Sequence, residues 1–480
     1  MGIYRSTNPT DWGAVDGIII DEVTPPSSVV GVPTNIAILV GQFERGPVNT
    51  LTQVGSVGQL YEIFGNNLSY AGNVALMNKK FGFLKVVRAS ASSGAAVGTL
   101  ACASSATTRI TFSSLWKGVY ANNIQVKIEA GSTVGSKYTI HDANTGAVWP
   151  DEVYDNVVIS AVGTTFNASH LISAAVNSTV AEPSTQAFTN LASGSDGSIT
   201  DTDYQTAITA QQLEAAGNIL FLDSYNATRN GYIKTSMAAT TDRMGVLAGA
   251  AGDSVTTAVT AAATYRDADG RMIYAFPYVY TTISGVSTKV NPASFYASML
   301  SQIAPNIDPA FAANVQYLQG IDSLELALQR SDYITLMAAG ISAFENDSDL
   351  GIKVKSGVTT QIASSAKIMI ARRRMTDYIT YSVAKFLKQF QNAPISQDNI
   401  TAATSAVQAF NRNMELLGMV PKDSEVSTGK ASIIDGNVLN TDNSKANGYF
   451  KLLYRRRIYN SMRFIVLQAE VGENVVVTAS

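Results

Sequence analysis

Cysteine is almost missing from this 480-residue chain: Cys102 stands alone, so no disulfide can form within it. That suits folding in a reducing cytoplasm. Histidine is nearly as scarce, with only His141 and His170. A four-ligand zinc site would need several carboxylates to complete it, and no metal is expected. Charged residues make up 15% of the chain, against roughly 25% in ordinary globular proteins. The net charge of −3 gives no global positive field, so nucleic acid is not an expected partner. No apolar run approaches the roughly 18 residues of a membrane span, so direct membrane insertion is not expected. The opening MGIYRSTNPTDWG holds no apolar signal segment. No Gly-x4-Gly-Lys-Ser/Thr loop is present, and Gly429-Lys430 lacks the earlier glycine, so no nucleotide cofactor is expected.

What is present is a long, 46% hydrophobic chain with few charges. Such a chain can hold roughly two to four domains, and it suits a protein that covers its surface with other copies. Residues 1–24 read as an N-terminal arm, in which Gly17-Ile18-Ile19-Ile20 is a strand and Val23 precedes the Pro25-Pro26 break. No local partner for that strand is evident. Residues 25–90 then form a strand–helix–strand unit. Ile36–Val40 is a short apolar strand closed by Gly41, Glu44-Arg-Gly-Pro47 is a turn, Tyr70–Lys80 has helical spacing, and Phe83–Val87 is a second strand.

From 91 to 198 the composition shifts to Ser, Thr, Gly, Ala and Val, with β-like runs such as Arg109–Phe112 and Ile124–Ile128 between turn signals. This predicts an all-β insertion facing outward. Strand–helix alternation resumes over 199–349, so 25–90 and 199–349 are expected to share one mainly parallel, doubly covered sheet. Residues 350–471 predict an α+β C-terminal domain with two consecutive helices, the second beginning after Ser396 and closing at Gly418. A C-terminal arm, 472–480, carries Val475-Val476-Val477.

No catalytic constellation is complete at these positions. Thr235-Ser-Met-Ala238 echoes the surroundings of a subtilisin nucleophile, but a triad needs a histidine within reach of the serine. Both histidines fall in the β insertion, and Lys234 replaces the expected glycine. Ser236 is expected to be an ordinary helix residue. Glu345–Asp349 is acidic but lacks the spacing of a calcium loop. Two arginine runs, Arg372-Arg373-Arg374 and Arg455-Arg456-Arg457, can make forked contacts with carboxylates. On a strand, Arg455 and Arg457 share a face and Arg456 points away. They are candidate contacts to a partner protein or a neighbouring copy, the plainer reading being pairing within the chain.

The series from Gly31-Val-Pro-Thr through the apolar strand, Glu44-Arg-Gly-Pro47, Phe64-Gly65 and Phe83-to-Arg88 resembles the N-terminal part of contractile phage tail sheath proteins. The helix pair and the terminal strands resemble that family's end domain. The resemblance implies a non-enzymatic sheath subunit of a virion tail, assembled in the host cytoplasm. It would form stacked, hexameric rings around a tail tube protein, bounded by baseplate and tail terminator proteins, and contract to drive the tube through the host envelope. It further implies that Gly17–Val23 and Glu473–Ala479, with Val475, Val476 and Val477, add strands to neighbouring subunits, and that the C-terminal domain faces the tube. The family's usual PGVYVEEV-like opening is replaced here by Asp16-Gly-Ile-Ile-Ile-Asp-Glu-Val23. A phage-derived bacteriocin or other injection system is an alternative within this class, and a subtilisin-like hydrolase is a distant one.

Overall fold

The structure is a computed structural model that describes residues 2–5, 17–20, 29–65, 83–144, 149–213, 218–240, 242–283, 285–363 and 367–460. Two compact units emerge, a larger one built on residues 33–377 and a smaller one built on 378–459 with the N-terminal segment.

At the N-terminus, β1 (Gly2–Arg5) and β2 (Gly17–Ile20) lie parallel, with Ile3 beside Ile18 and Arg5 beside Ile20. The isoleucine strand is therefore present, but the expectation that it lacks a local partner is corrected.

The larger unit opens with β3 (Ile36–Gln42), β4 (Thr52–Val54), α1 (Val57–Phe64) and β5 (Phe83–Ala89). The chain then leaves this sheet for a β-rich layer comprising β6 (Ala95–Ala96), β7 (Thr99–Ser104), β8 (Thr107–Ser114), β9 (Ile124–Ala130), β10 (Ser136–Asp142), β11 (Glu152–Val157), β12 (Ile172–Val176), β13 (Gln186–Asn190) and β14 (Ser195–Asp196). It returns through α2 (Asp201–Ala210), β15 (Ile219–Leu222), α3 (Ala227–Ala239), β16 (Met244–Ala248), α4 (Val255–Thr264) and β17 (Met272–Phe276). Next come the small strands β18 (Val279–Ile283) and β19 (Val286–Val290), helix α5 (Pro292–Gln302), and β20 (Ser323–Leu324). Helix α6 (Arg330–Ala338), β21 (Ile341–Asp347) and β22 (Gly351–Val354) follow.

Eight strands make the main sheet in the order β22-β21-β17-β16-β15-β3-β5-β4. Its six inner strands pair in parallel, and the two edge strands run antiparallel. Alternation assigns the side chains. Ala37, Leu39, Val86, Phe221 and Val246 join one core with α5, while Ile38, Val40, Val87, Leu220 and Leu247 join another with α2, α3 and α4. Both faces are covered, which is why these strands read as continuous apolar runs. Helix α5 is buried from Pro292 to Ser301, so it runs inside its layer rather than on it.

The β-rich layer holds a three-stranded sheet (β12-β8-β7), a four-stranded sheet (β11-β10-β9-β13) and the β6–β14 pair. Its own core runs from Cys102 to Leu191. At its centre Phe112, Tyr138 and Phe166 meet edge to face, with centroids 5.2–5.8 Å apart.

The expected start of a C-terminal domain at 350 is moved. Strand β22 pairs with β21, Lys355 N–H donates to Ala343 O at 2.8 Å, and Thr360 N–H donates to Met272 O at 2.8 Å. Sheet hydrogen bonding thus carries the larger unit past 350, and the division falls after Asp377, inside α7 (Ile370–Leu387). In the smaller unit, Ser396 caps α8 (Gln397–Leu416) by accepting from Asn399 N–H at 3.2 Å. Gly418 follows it at φ +66°. Two short strands, β23 (Ser432–Asp435) and β24 (Leu453–Arg456), pair antiparallel. The expected helix 70–80 and the C-terminal arm 472–480 lie outside the described residues.

Candidate functional site

Of the arm residues, Gly17, Ile18, Ile19 and Ile20 form β2. Val23, Val475, Val476 and Val477 fall outside the described residues.

The first arginine run is largely internal. Arg374 is 6% exposed. Its Nη2 donates to the carbonyls of Leu300 (2.8 Å) and Ile303 (3.0 Å) at the C-terminal end of α5. A guanidinium placed there satisfies carbonyls the helix leaves open and meets the negative end of its dipole. Burial pushes its pKa down to about 10. This takes Arg374 out of the set of surface contacts, because a side chain buried against α5 has no access to a partner. Arg373 forks onto Asp377, which also takes a bidentate pair from Arg271 at 2.8 and 2.9 Å. Arg372 is half-buried on the same helix.

The second run splits by face. Arg456 turns inward, its Nη1 donating to Glu415 Oε1 and Asn411 Oδ1, both at 2.7 Å, and its Nη2 to Pro421 O at 2.6 Å. Arg455 and Arg457 are exposed, as strand alternation requires. Arg457 donates to Thr428 O at 2.7 Å.

The motif residues between Gly31 and Arg88 turn out to be a joint. Arg88, 2% exposed at the end of β5, donates to the carbonyls of Phe43 (3.1 Å), Gly46 (3.0 Å) and Glu44 (3.3 Å) in the Glu44–Pro47 turn, and to Lys117 O (2.9 Å) in the β-rich layer. Arg45 reaches the other way, pairing with buried Asp142 at 3.0 Å and donating to Tyr61 O and Glu62 O. Gly46 sits at φ +103°, where a Cβ would come within 2.7 Å of the Phe64 ring. Sequence reasoning saw this turn only as punctuation. An arginine closing a buried strand was the available signal, since a buried guanidinium must find acceptors.

The carboxyl end of the main sheet is where doubly wound folds usually hold ligands, at the strands flanking the reversal of order. Those strands are β3 and β15. Asp223, just past β15 and partly exposed, lies at that position. It accepts from Gln42 N–H at 2.8 Å, from the Tyr204 hydroxyl at 3.0 and 3.2 Å, and from the Ser224 hydroxyl at 3.1 Å. A Cβ on Gly41 would sit 2.8 Å from the Asp223 Cβ, so the two close on each other. Burial pushes the Asp223 carboxyl up, against those three donors and the nearby Arg229 charge.

Ser236 is buried on α3 and accepts from Gln211 Nε2 at 3.2 Å. His141 pairs with Asp151 at 2.7 Å and His170 with Glu152 at 3.2 Å, both in the β-rich layer. Asp347 closes the β21–β22 turn. Its pairing with Lys353 at 2.5 Å draws its pKa down to about 2. Among the described residues no group of three or more His, Cys, Asp or Glu is placed to hold a metal ion. No helix among them is long and apolar enough to cross a membrane.

Taken together, the interrupted parallel sheet, the β-rich layer and the helical unit make the fold shared by tail sheath proteins and the sheaths of contractile injection systems. The sheath tail protein of Listeria innocua superposes with a TM-score of 0.64 over 85% of this chain and 90% of its own, at 14% identity. The corresponding protein of Desulfitobacterium hafniense gives 0.62 over 88% and 94%, at 15% identity. The contracted helical sheath of the anti-feeding prophage gives 0.58 over 95% and 99%, at 13% identity. No protein-family model matches the sequence, and no curated protein matches it. The likeness is therefore one of fold.

Proposed function

We propose that this chain is the repeating subunit of a contractile sheath, polymerising around a tail tube and shortening to drive that tube through an envelope. The observation that carries the reading is fold likeness to sheath proteins across nearly the whole length of both chains. Phage tail and injection apparatus both fit, the second favoured by the anti-feeding prophage sheath, which aligns over 95% of this chain.

In this reading the terminal arms add strands to neighbouring copies, giving a mesh that can rotate without parting. The main-sheet units meet one another as the sheath shortens, the C-terminal unit faces the tube, and the β-rich layer faces outward. Energy comes from surfaces newly joined between subunits in a kinetically trapped lattice. Baseplate and terminator proteins would bound the assembly, which forms in the host cytoplasm and acts in a virion or particle. Electron microscopy of the purified protein tests this: hollow tubes are expected, and a preparation of monomers or trimers only would overturn it.

A further inference from the structure

Four helices lie side by side over one face of the main sheet. Helix α2 packs on α3, Lys234 Nζ of α3 donates to Thr264 O of α4 at 2.9 Å, and α4 packs on α6. Their inner sides join Ile38, Leu220 and Leu247 in one core. Their outer side is nearly bare of charge. Nineteen residues of these helices are exposed, and only Arg330 among them is charged. A well-solvated surface carries charge at roughly 25–35% of its positions. Helix α4 has no charged residue anywhere along its length. The remaining charges are tied into the structure. Arg229 pairs with Asp201 at 2.7 Å and lies over the Tyr204 ring, while Asp203 and Asp332 close the first turns of α2 and α6.

The polar groups that are exposed on this face are also satisfied from within. The hydroxyls of Thr206, Thr209, Thr235, Thr260, Thr264 and Thr335 each donate to a carbonyl three or four residues earlier in the same helix, at 2.7–3.1 Å. What is left for a neighbour is a broad layer of short side chains, with Ile334 57% exposed among them. Covering it strips no ion of water and immobilises few long side chains, two of the main costs of association. Its extent is close to the roughly 20–30 residues that one side of a stable interface presents. A highly charged partner would leave its own ions desolvated here, whereas a surface equally poor in charge would not. This chain is such a partner, with 15% charged residues and a net charge of only −3.

We propose that the outer side of α2, α3, α4 and α6 is covered by a second copy of this chain, in a contact made without ion pairs. This rests on the sheath reading above and assigns it a face. The test uses full-length protein assembled alone, so that only another copy can cover the layer. Cys102 is buried, so in T260C the introduced thiol is the one open to a maleimide. It is expected to label at least about tenfold more slowly in tubes than in monomers. The pair T260E and T335E, in one chain, should raise the concentration needed for tubes by about tenfold or more, since it puts charges where the partner has none to answer them. Its melting temperature should match the parent's, because both positions are exposed and glutamate suits a helix. The inference is overturned if the T260C thiol labels in tubes at the monomer rate, or if the double glutamate variant assembles as the parent does. A parent that forms no tubes would overturn the sheath reading and this inference with it.

Discussion

Two runs of three arginines, alike in sequence, meet opposite fates in the two units. In the larger unit Arg373 and Arg374 are drawn inward, one sharing Asp377 with Arg271 and the other closing the end of α5. In the smaller unit only Arg456 turns in, and Arg455 and Arg457 stay outside. The difference is geometric. Three residues of a helix fan around most of its circumference, so a helix packed on other helices must bury some of them. Three residues of a half-covered strand alternate, which leaves every second one in water. Identical composition thus becomes structural mortar in one place and a solvent-facing pair in the other.

The comparison breaks most easily at Asp377. D377A leaves two guanidiniums, those of Arg271 and Arg373, without their shared carboxylate. A loss of about 3–5 kcal/mol is expected, read as a lower urea midpoint by circular dichroism. R374M comes next, at about 3 kcal/mol, because the α5 carbonyls it served become orphans. R456M should cost about 1–2 kcal/mol, since Glu415 is partly exposed and water can replace some of the contact. R455E should leave the midpoint unchanged within about 0.5 kcal/mol. If R455E destabilised the chain as strongly as R374M does, the division between buried and exposed runs would be wrong.

Much of this architecture is legible in the sequence because both faces of the main sheet are covered. Strands such as Ile36–Gln42 and Met272–Phe276 then have to be apolar throughout, and that pattern is unmistakable in sequence. The change of composition after residue 91 likewise marks the β-rich layer, whose core is built from within that segment. What stays hidden depends on distant partners. Strand β23 is only Ser-Ile-Ile-Asp, too short to announce itself, although glycines at 429 and 436 bracket it. The larger unit runs past the expected boundary at 350, because β22 belongs to the sheet through backbone pairing, which no side-chain pattern encodes. The parallel pairing of Gly2–Arg5 with Gly17–Ile20 is of the same kind. Among the candidate contact residues, sequence cannot separate buried Arg374 from exposed Arg455. That choice is made by what packs around each.

The buried arginine joint has a mechanical consequence. Arg45 grips Asp142 of the β-rich layer, while Arg88 holds both the Glu44–Pro47 turn and Lys117 O. A load applied to that layer would pass into the main sheet through charge-assisted bonds shielded from solvent, not only through its two connecting strands of chain. Such a coupling resists creep under sustained tension and dulls the effect of added salt. The layer would then move with the sheet as one stiff piece.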